Sequence, residues 1–181
     1  MAASKAFGGA LTRPLFPLLI ALLTPLSAQD LPIVERGRVG LVVIGADAET
    51  VYREFGDRAR LVDLALEGSL SPALEIKLFG SQFSASVIAE ILPSNNRLVV
   101  SRINVLDPRL RTKEGIGIGS VYRDLRSHYS IDWVGSGEGG FFARVEPLGI
   151  SFALDVRDPH NIRDPERVPD DTRVIGMLLT R

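Results

Sequence analysis

The sequence predicts an α+β fold: a mostly antiparallel sheet with two short helices, arranged as two similar helix-plus-strands units sharing one core. Three observations predict it. Several stretches alternate apolar and polar residues with a period of two, as strands with one buried face do. Two short segments, near 48–55 and 120–128, carry helix start and stop signals. These segments also share a sequence. Thr50-Val51-Tyr52-Arg53-Glu54-Phe55 and Ser120-Val121-Tyr122-Arg123-Asp124-Leu125 match at an offset of 70, three residues identical and three alike. Two copies are too few for a solenoid. They predict two units, about 37–106 and 107–181, that share a core.

The elements follow in order. Residues 38–44 are a compact β-branched run between Gly37 and Gly45, which predicts a strand. Asp47 is a good N-cap for a helix over 48–55 that Gly56 stops. Val62, Leu64 and Leu66, then Leu74, Ile76 and Leu78, alternate with polar residues around Gly68 and Pro72, predicting a hairpin. A second pair, 87–92 and 98–106, flanks Pro93-Ser94-Asn95-Asn96, where Asn tolerates positive φ. Ser120 is placed to cap a helix to about His128, with Val121 and Leu125 one turn apart on one face. Strands are expected over 129–134, 141–146 and 150–156. Residues 135–140 between the first two are too glycine-rich for a regular element. Residues 157–171 hold three prolines and many charges and read as a loop, and 174–179 is a closing, buried strand.

The N-terminal segment stands apart from this plan. Lys5 and Arg13 precede the apolar stretch 15–23, and Thr24-Pro25-Leu26-Ser27-Ala28 follows, with no acidic residue before Asp30. That order predicts a secretory signal peptide over 1–28, cleaved after Ala28. Nine apolar residues interrupted by Pro17 fall short of the about 20 that a membrane span needs. The mature domain would be 29–181, a single α+β domain of 153 residues with net charge −3, since two of the 21 basic residues leave with the leader. Such a chain, without a clustered basic surface, is not expected to bind nucleic acid. The chain has no cysteine. That excludes disulfides, thiol catalysis and zinc-thiolate or iron–sulfur sites, and leaves no cysteine to acylate at the cleavage site. A soluble periplasmic or secreted protein is expected, with no stable membrane anchor.

Gly115-Ile116-Gly117-Ile118-Gly119-Ser120 raises the question of a phosphate loop. A Walker loop needs a lysine after the last glycine, and here Ser120 and Val121 follow. The dinucleotide fingerprint needs a glycine at the position that Ser120 holds. A simpler expectation is a strand that buries Ile116 and Ile118 and turns through Gly119 into a helix. A weaker candidate is an anion site made by Arg109, Arg111, Lys113, Gly119 and Ser120 at the helix start. His128 sits at a helix end, and His160 lies in a charged loop without the i, i+4 spacing of a helical metal site. Gly135-Ser136-Gly137 lacks the nucleophile elbow. Trp133, Phe141 and Phe142 read as core or as a recognition patch. No cofactor is implied.

Ile103-Asn104-Val105 with Asp107-Pro108, then Thr112-x-x-Gly115-Ile116-x-Ile118-Gly119, then Asp124-Leu125 and Tyr129, resembles uncharacterised bacterial envelope-protein families. The repeated helix-then-strands plan is similar to the fold shared by outer-membrane assembly lipoproteins of the BamE type and β-lactamase-inhibitor proteins. With no catalytic constellation assembled in the sequence, the expectation is an exported, soluble, non-catalytic envelope or interaction module that could take an envelope protein as partner. The alternative is a periplasmic binder of a small ligand or anion.

Overall fold

One row of side chains crosses the whole sheet and defines its dry face. Ala59, Ile76, Val87, Val105, Met177, Phe152, Ala143 and Val134 are neighbours across eight successive strands, and all eight are buried. The strands are β4 (Ala59–Leu66), β5 (Ser69–Ile76), β6 (Val87–Ser94), β7 (Arg97–Val105), β8 (Trp133–Gly137), β9 (Gly140–Val145), β10 (Ile150–Leu154) and β11 (Val174–Leu179). They lie in the order β4-β5-β6-β7-β11-β10-β9-β8. Every neighbouring pair is antiparallel. A separate three-stranded ribbon is made by β1 (Val34–Glu35), β2 (Arg38–Val39) and β3 (Val42–Val43). Two helices complete the fold, α1 (Ala48–Phe55) and α2 (Tyr122–His128). The fold is thus α+β, mostly antiparallel sheet with two short helices. This is a computed structural model. It divides into two units, Met1–Asp30 and Leu31–Arg181, and describes residues 32–66, 69–79, 85–137 and 139–181. The signal peptide expected over 1–28 lies outside the described residues.

The dry row joins one cluster with Val51 and Phe55 of α1, Tyr122 and Leu125 of α2, and Val34, Val39 and Val42 of the ribbon. Both helices and the ribbon therefore bury their apolar residues in one core with this face of the sheet. The opposite face carries the row Arg60, Glu75, Ile88, Asn104, Leu178, Ser151, Arg144 and Trp133.

The centre of the sheet is built twice in the same way. Strands β7 and β11 pair through only Ile103, Asn104 and Val105. The start of β7 is paired instead by the segment that leads into α1: Gly45 N–H donates to Val100 O (2.7 Å) and Val100 N–H to Ala46 O (2.9 Å). The start of β11 receives the segment that leads into α2: Gly119 N–H donates to Val174 O (2.7 Å) and Val174 N–H to Ser120 O (2.9 Å). Every residue in the second set is 74 positions after its counterpart in the first, and the bridges Asp47↔Val99 and Val121↔Arg173 keep the same spacing. Gly45 and Gly119 both have φ of +91°, a backbone geometry that favours glycine.

The offset corrects the sequence match at 70. The helix N-caps are Asp47 and Val121, also 74 apart, and the core-facing residues Ala48, Val51 and Phe55 correspond to Tyr122, Leu125 and Tyr129. Tyr52 and Tyr122, identical in the match at 70, therefore occupy different places: Tyr122 is fully buried, whereas Tyr52 is 46% exposed.

Three further expectations change. Residues 38–44 are not one strand, because the backbone turns with positive φ at Gly37 and Gly40 and splits the run into β2 and β3, each in register with its neighbour. Ser120 does not cap α2. Val121 is the N-cap without a side-chain bond, and the Ser120 hydroxyl accepts from Gly117 N–H (3.1 Å). Residues 129–134 are not a strand throughout, and the glycine-rich stretch after them is not merely a turn. β8 starts at Trp133 and runs through Gly135 to Gly137, paired with β9. Gly135 is tolerated there because the Trp133 ring lies across it: a Cβ on Gly135 would fall 2.3 Å from the ring. The Asn95–Asn96 turn, by contrast, has φ of 48° and 63°, as its sequence predicts.

Phe152 lies in the dry row, fully buried, with Tyr129 stacked on it at 6.4 Å between ring centres. Phe152→Ala should cost about 3–5 kcal/mol of unfolding free energy, measured by urea denaturation, with the midpoint moving and the slope unchanged.

Candidate functional site

The glycine stretch is a tight ribbon, not a strand leading into a helix. Thr112 N–H donates to Ile116 O (2.9 Å), Gly115 N–H to Thr112 O (2.9 Å) and Ile116 N–H to Thr112 Oγ1 (3.2 Å). Arg111 bridges Gly117. Gly117 is needed where the two limbs touch, since a Cβ there would lie 2.7 Å from the Leu110 carbonyl. Ile116 is buried and Ile118 half-buried.

The five residues of the anion candidate lie in and beside this ribbon, and four of them have their polar groups engaged within the chain. Arg111 donates through Nη1 to Ser120 Oγ (3.0 Å) and Gly115 O (3.2 Å), and through Nη2 to Ile118 O (3.1 Å). Arg109 forms a two-pronged pair with Asp107: Nε to Oδ1 at 2.9 Å and Nη2 to Oδ2 at 2.6 Å, with the guanidinium 4.2 Å above the Phe79 ring centre. Gly119 N–H is taken by Val174 O. The first amides of α2 are also occupied, Tyr122 N–H by Thr172 O (2.8 Å) and Arg123 N–H by Asp170 O (3.0 Å). Lys113 is exposed on the turn.

Asp107 is the best-tied carboxylate of the region. Besides the guanidinium it accepts from Arg109 N–H (2.9 Å) and the Ser86 hydroxyl (3.4 Å), and its residue is 9% exposed. The hydrogen bonds from Arg109 hold its carboxyl below the ordinary value of 3.8, against the opposing effect of burial. Tyr129 hydrogen-bonds Glu114 and Thr112 Oγ1 (2.8 Å). Burial first, then the Glu114 bond, pushes its phenol up to about 12, and the same bond lowers Glu114. Tyr122 is likewise pushed up to about 12 by burial. His128 lies in the last turn of α2, its Nδ1 2.8 Å from Asp124 O, and His160 sits in a 3₁₀ turn capped by Asp158. Among the described residues no group of three or more His, Asp or Glu is arranged to hold a metal ion.

Two surfaces remain; the sequence reading touched the first through its patch candidate Trp133, Phe141 and Phe142, of which Trp133 and Phe142 lie there, and did not single out the second. The first is the face of the sheet opposite the helices. It carries the half-buried Val62, Leu64, Ile88, Phe142 and Leu178 with the more exposed Leu92 (52%) and Trp133 (46%). Its polar residues are tied to one another. Arg60 pairs with Glu75 across β4 and β5, Asn104 donates to Glu90 (2.8 Å) and Arg102 lies 3.7 Å from Glu90. The Trp133 ring lies over Gly135; Phe141 goes to the core. The second surface is a groove on the helix side, about 480 Å³ in volume, beside the start of α1. Its floor is Leu74 and Ile91, both 2% exposed, and its walls are Tyr52, Leu61 (61% exposed) and Leu98 (45% exposed), with Asn96 and Arg97 at the rim. The adjacent apolar pair Leu61-Val62, which puts one side chain on each face of β4, was the sequence signal for both surfaces.

No protein-family model matches the chain, and no curated protein matches it. Among solved structures it is similar to the uncharacterized protein yfeY from Escherichia coli, with a TM-score of 0.53 and 16% identity, covering 83% of this chain and 99% of that one. A likeness at that identity shows the fold alone.

Because Asp107 has a lowered folded-state pKa, the stability it contributes is present above its ordinary value near 3.8 and is lost as pH falls through the folded value. Asp107→Asn should therefore destabilise by about 1.5–3 kcal/mol at neutral pH, the cost of weakening charge-assisted hydrogen bonds. The gap between the two proteins in urea titrations should close as pH falls from about 5 to about 2.

Proposed function

We propose that the protein is an exported, non-catalytic interaction module that binds a partner protein in the cell envelope through the open face of its eight-stranded sheet. One observation carries the reading. Both helices and the ribbon pack in one core with the other face, while the open face displays Leu92, Trp133, Val62, Phe142 and Leu178 among internally paired charges. Apolar residues around an exposed aromatic, rimmed by satisfied polar groups, are the composition of a protein–protein interface. The non-catalytic part rests on the titratable groups. Among the described residues the shifted carboxylates Asp47, Asp107, Glu114 and Glu146 all move down, and the shifted tyrosines and arginines all move up. None of these shifts brings a carboxylate or a phenol toward neutral pH, where acid–base work by such a group would need it. Export rests on the leader-like order of residues 1–28. An anion-binding role for Arg109, Arg111, Lys113, Gly119 and Ser120 is disfavoured, because the two guanidiniums are already neutralised or bonded within the chain.

Two measurements test the proposal. The protein recovered from the cell that makes it should begin at Gln29 and fractionate outside the cytoplasm; an intact N-terminus in the cytoplasmic fraction would sink the export reading. A photo-crosslinking residue placed at Leu92 or Trp133 should give a discrete protein adduct in living cells, and one placed at Glu54 on α1 should not. Adducts absent from both open-face positions, or equally strong from Glu54, would refute the assignment of the face.

A further inference from the structure

We infer that the groove beside α1 receives an extended, acidic segment of a partner polypeptide, in the place that the chain's own residues 165–172 occupy beside α2. The inference comes from the offset of 74 between the halves. The α1 wall of the groove is Asp47, Ala48, Glu49 and Tyr52, and the corresponding residues of the second half are Val121, Tyr122, Arg123 and Arg126. There the last three are all engaged by the connection between β10 and β11. Tyr122 OH donates to Pro165 O (3.1 Å) and its N–H to Thr172 O (2.8 Å). Arg123 N–H donates to Asp170 O (3.0 Å), and Arg126 pairs with both Glu166 and Asp170 at 3.0 Å. The segment buries Val168 to 4% exposure. A Pro-containing, acidic strip of polypeptide thus fills this place in the second half.

In the first half the equivalent connection, between β6 and β7, is the two-residue turn Asn95–Asn96, too short to fold back over α1. The place is left open, with Tyr52, Leu61 and Leu98 exposed over Leu74 and Ile91. It can stand open because α1 has its own cap. Asp47 accepts from Thr50 N–H (2.9 Å) and Thr50 Oγ1 (3.2 Å), which does for α1 part of what the carbonyls of Asp170 and Thr172 do for α2. Of the three charges at the rim, Asp47 and Glu49 are answered within α1, and Arg97 offers a place for a carboxylate. Asp47 is committed to this cap, and Glu49 lies 3.9 Å from Arg53. Arg97 forms no ion pair among the described residues and acts on Asp47 only through its field. An incoming carboxylate would give Arg97 the partner that Glu166 and Asp170 give Arg126. The groove lies on the opposite side of the sheet from the face assigned above, so it stands or falls independently of that assignment.

A random dodecapeptide display library selected against the purified protein tests the inference, with enriched peptides resynthesised and titrated by fluorescence anisotropy. Enriched sequences should combine apolar residues or proline with at least one Asp or Glu, and bind one to one. Leu61→Glu should weaken them by about tenfold or more, as expected for lost burial of one large apolar side chain, and Arg97→Ala several-fold. Leu92→Glu, on the opposite face, should leave binding unchanged. Leu61 and Tyr52 are both largely exposed, so Tyr52→Ala serves as a second probe should Leu61→Glu lower the melting temperature. The inference fails if no sequence is enriched, if binding survives both Leu61→Glu and Tyr52→Ala, or if it is lost with Leu92→Glu. It also fails if dodecanoate competes for the groove more strongly than any peptide, since the site would then belong to an amphiphile.

Discussion

The structure depends on how its two central strands share their edges. β7 and β11 touch through three residue pairs and no more. The remaining edge of each is paired by the short segment that leads into the helix of its own half. Buried backbone N–H and C=O groups left unpaired would each cost on the order of 1–3 kcal/mol, so these segments are part of the sheet in energetic terms. Their pairing also fixes where each helix begins. α1 and α2 can start only one residue beyond Asp47↔Val99 and Val121↔Arg173, which lays both across the same face. The single core, the all-buried row across eight strands and an opposite face that neither helix nor the ribbon covers follow from that placement.

Within this shared frame the halves differ in how a helix end is satisfied, and a small sequence difference has a large consequence. Position 47 is aspartate and caps α1 with its own carboxylate. Its counterpart, Val121, cannot, and the amides of α2 turn to the carbonyls of residues 170 and 172. Those carbonyls arrive on a long connection whose acidic side chains Arg126 anchors. The second half thus needs its strap, while the first half replaces it with one side chain and a two-residue turn. The open groove is what that substitution leaves.

Much of this was legible in the sequence. Asp47 and Gly56 bracket α1 as read, because capping is local chemistry decided by adjacent residues. The Asn95–Asn96 turn and the alternation through β5, β6 and β10 were legible for the same reason. What failed depended on distant partners. Nothing near residues 38–44 announces that valines 39 and 42 must face the same core, which requires turning at Gly40 rather than running straight. Ser120 has the chemistry of a cap, but Gly117 N–H and Arg111 claim its hydroxyl across the ribbon. The match at 70 misled because identity of Val-Tyr-Arg is a weaker constraint than the frame set by core-facing residues, which runs at 74. The anion candidate was legible only as a list of charges. That Arg109 belongs to Asp107, two residues earlier, was within reach of local reasoning, since the pair spans a single turn.

The arrangement of charge on the open face narrows what could cover it. Glu75 is answered by Arg60 from the neighbouring strand, Glu90 by Asn104 and Arg102, and Glu146 by Arg144. Exposed pairs of this kind add little stability, about 0–1 kcal/mol each, but they matter for association. A partner need not bring a counter-charge for each carboxylate, and covering the face does not leave a buried charge without company, which is the costly outcome in an interface. Affinity would then come from the apolar residues between the pairs and from Trp133, whose ring lies over Gly135. A partner suited to this face is broad, largely apolar at its centre and close to neutral. The groove across the sheet, with Arg97 in no ion pair among the described residues at its rim, suits a narrow and acidic segment instead.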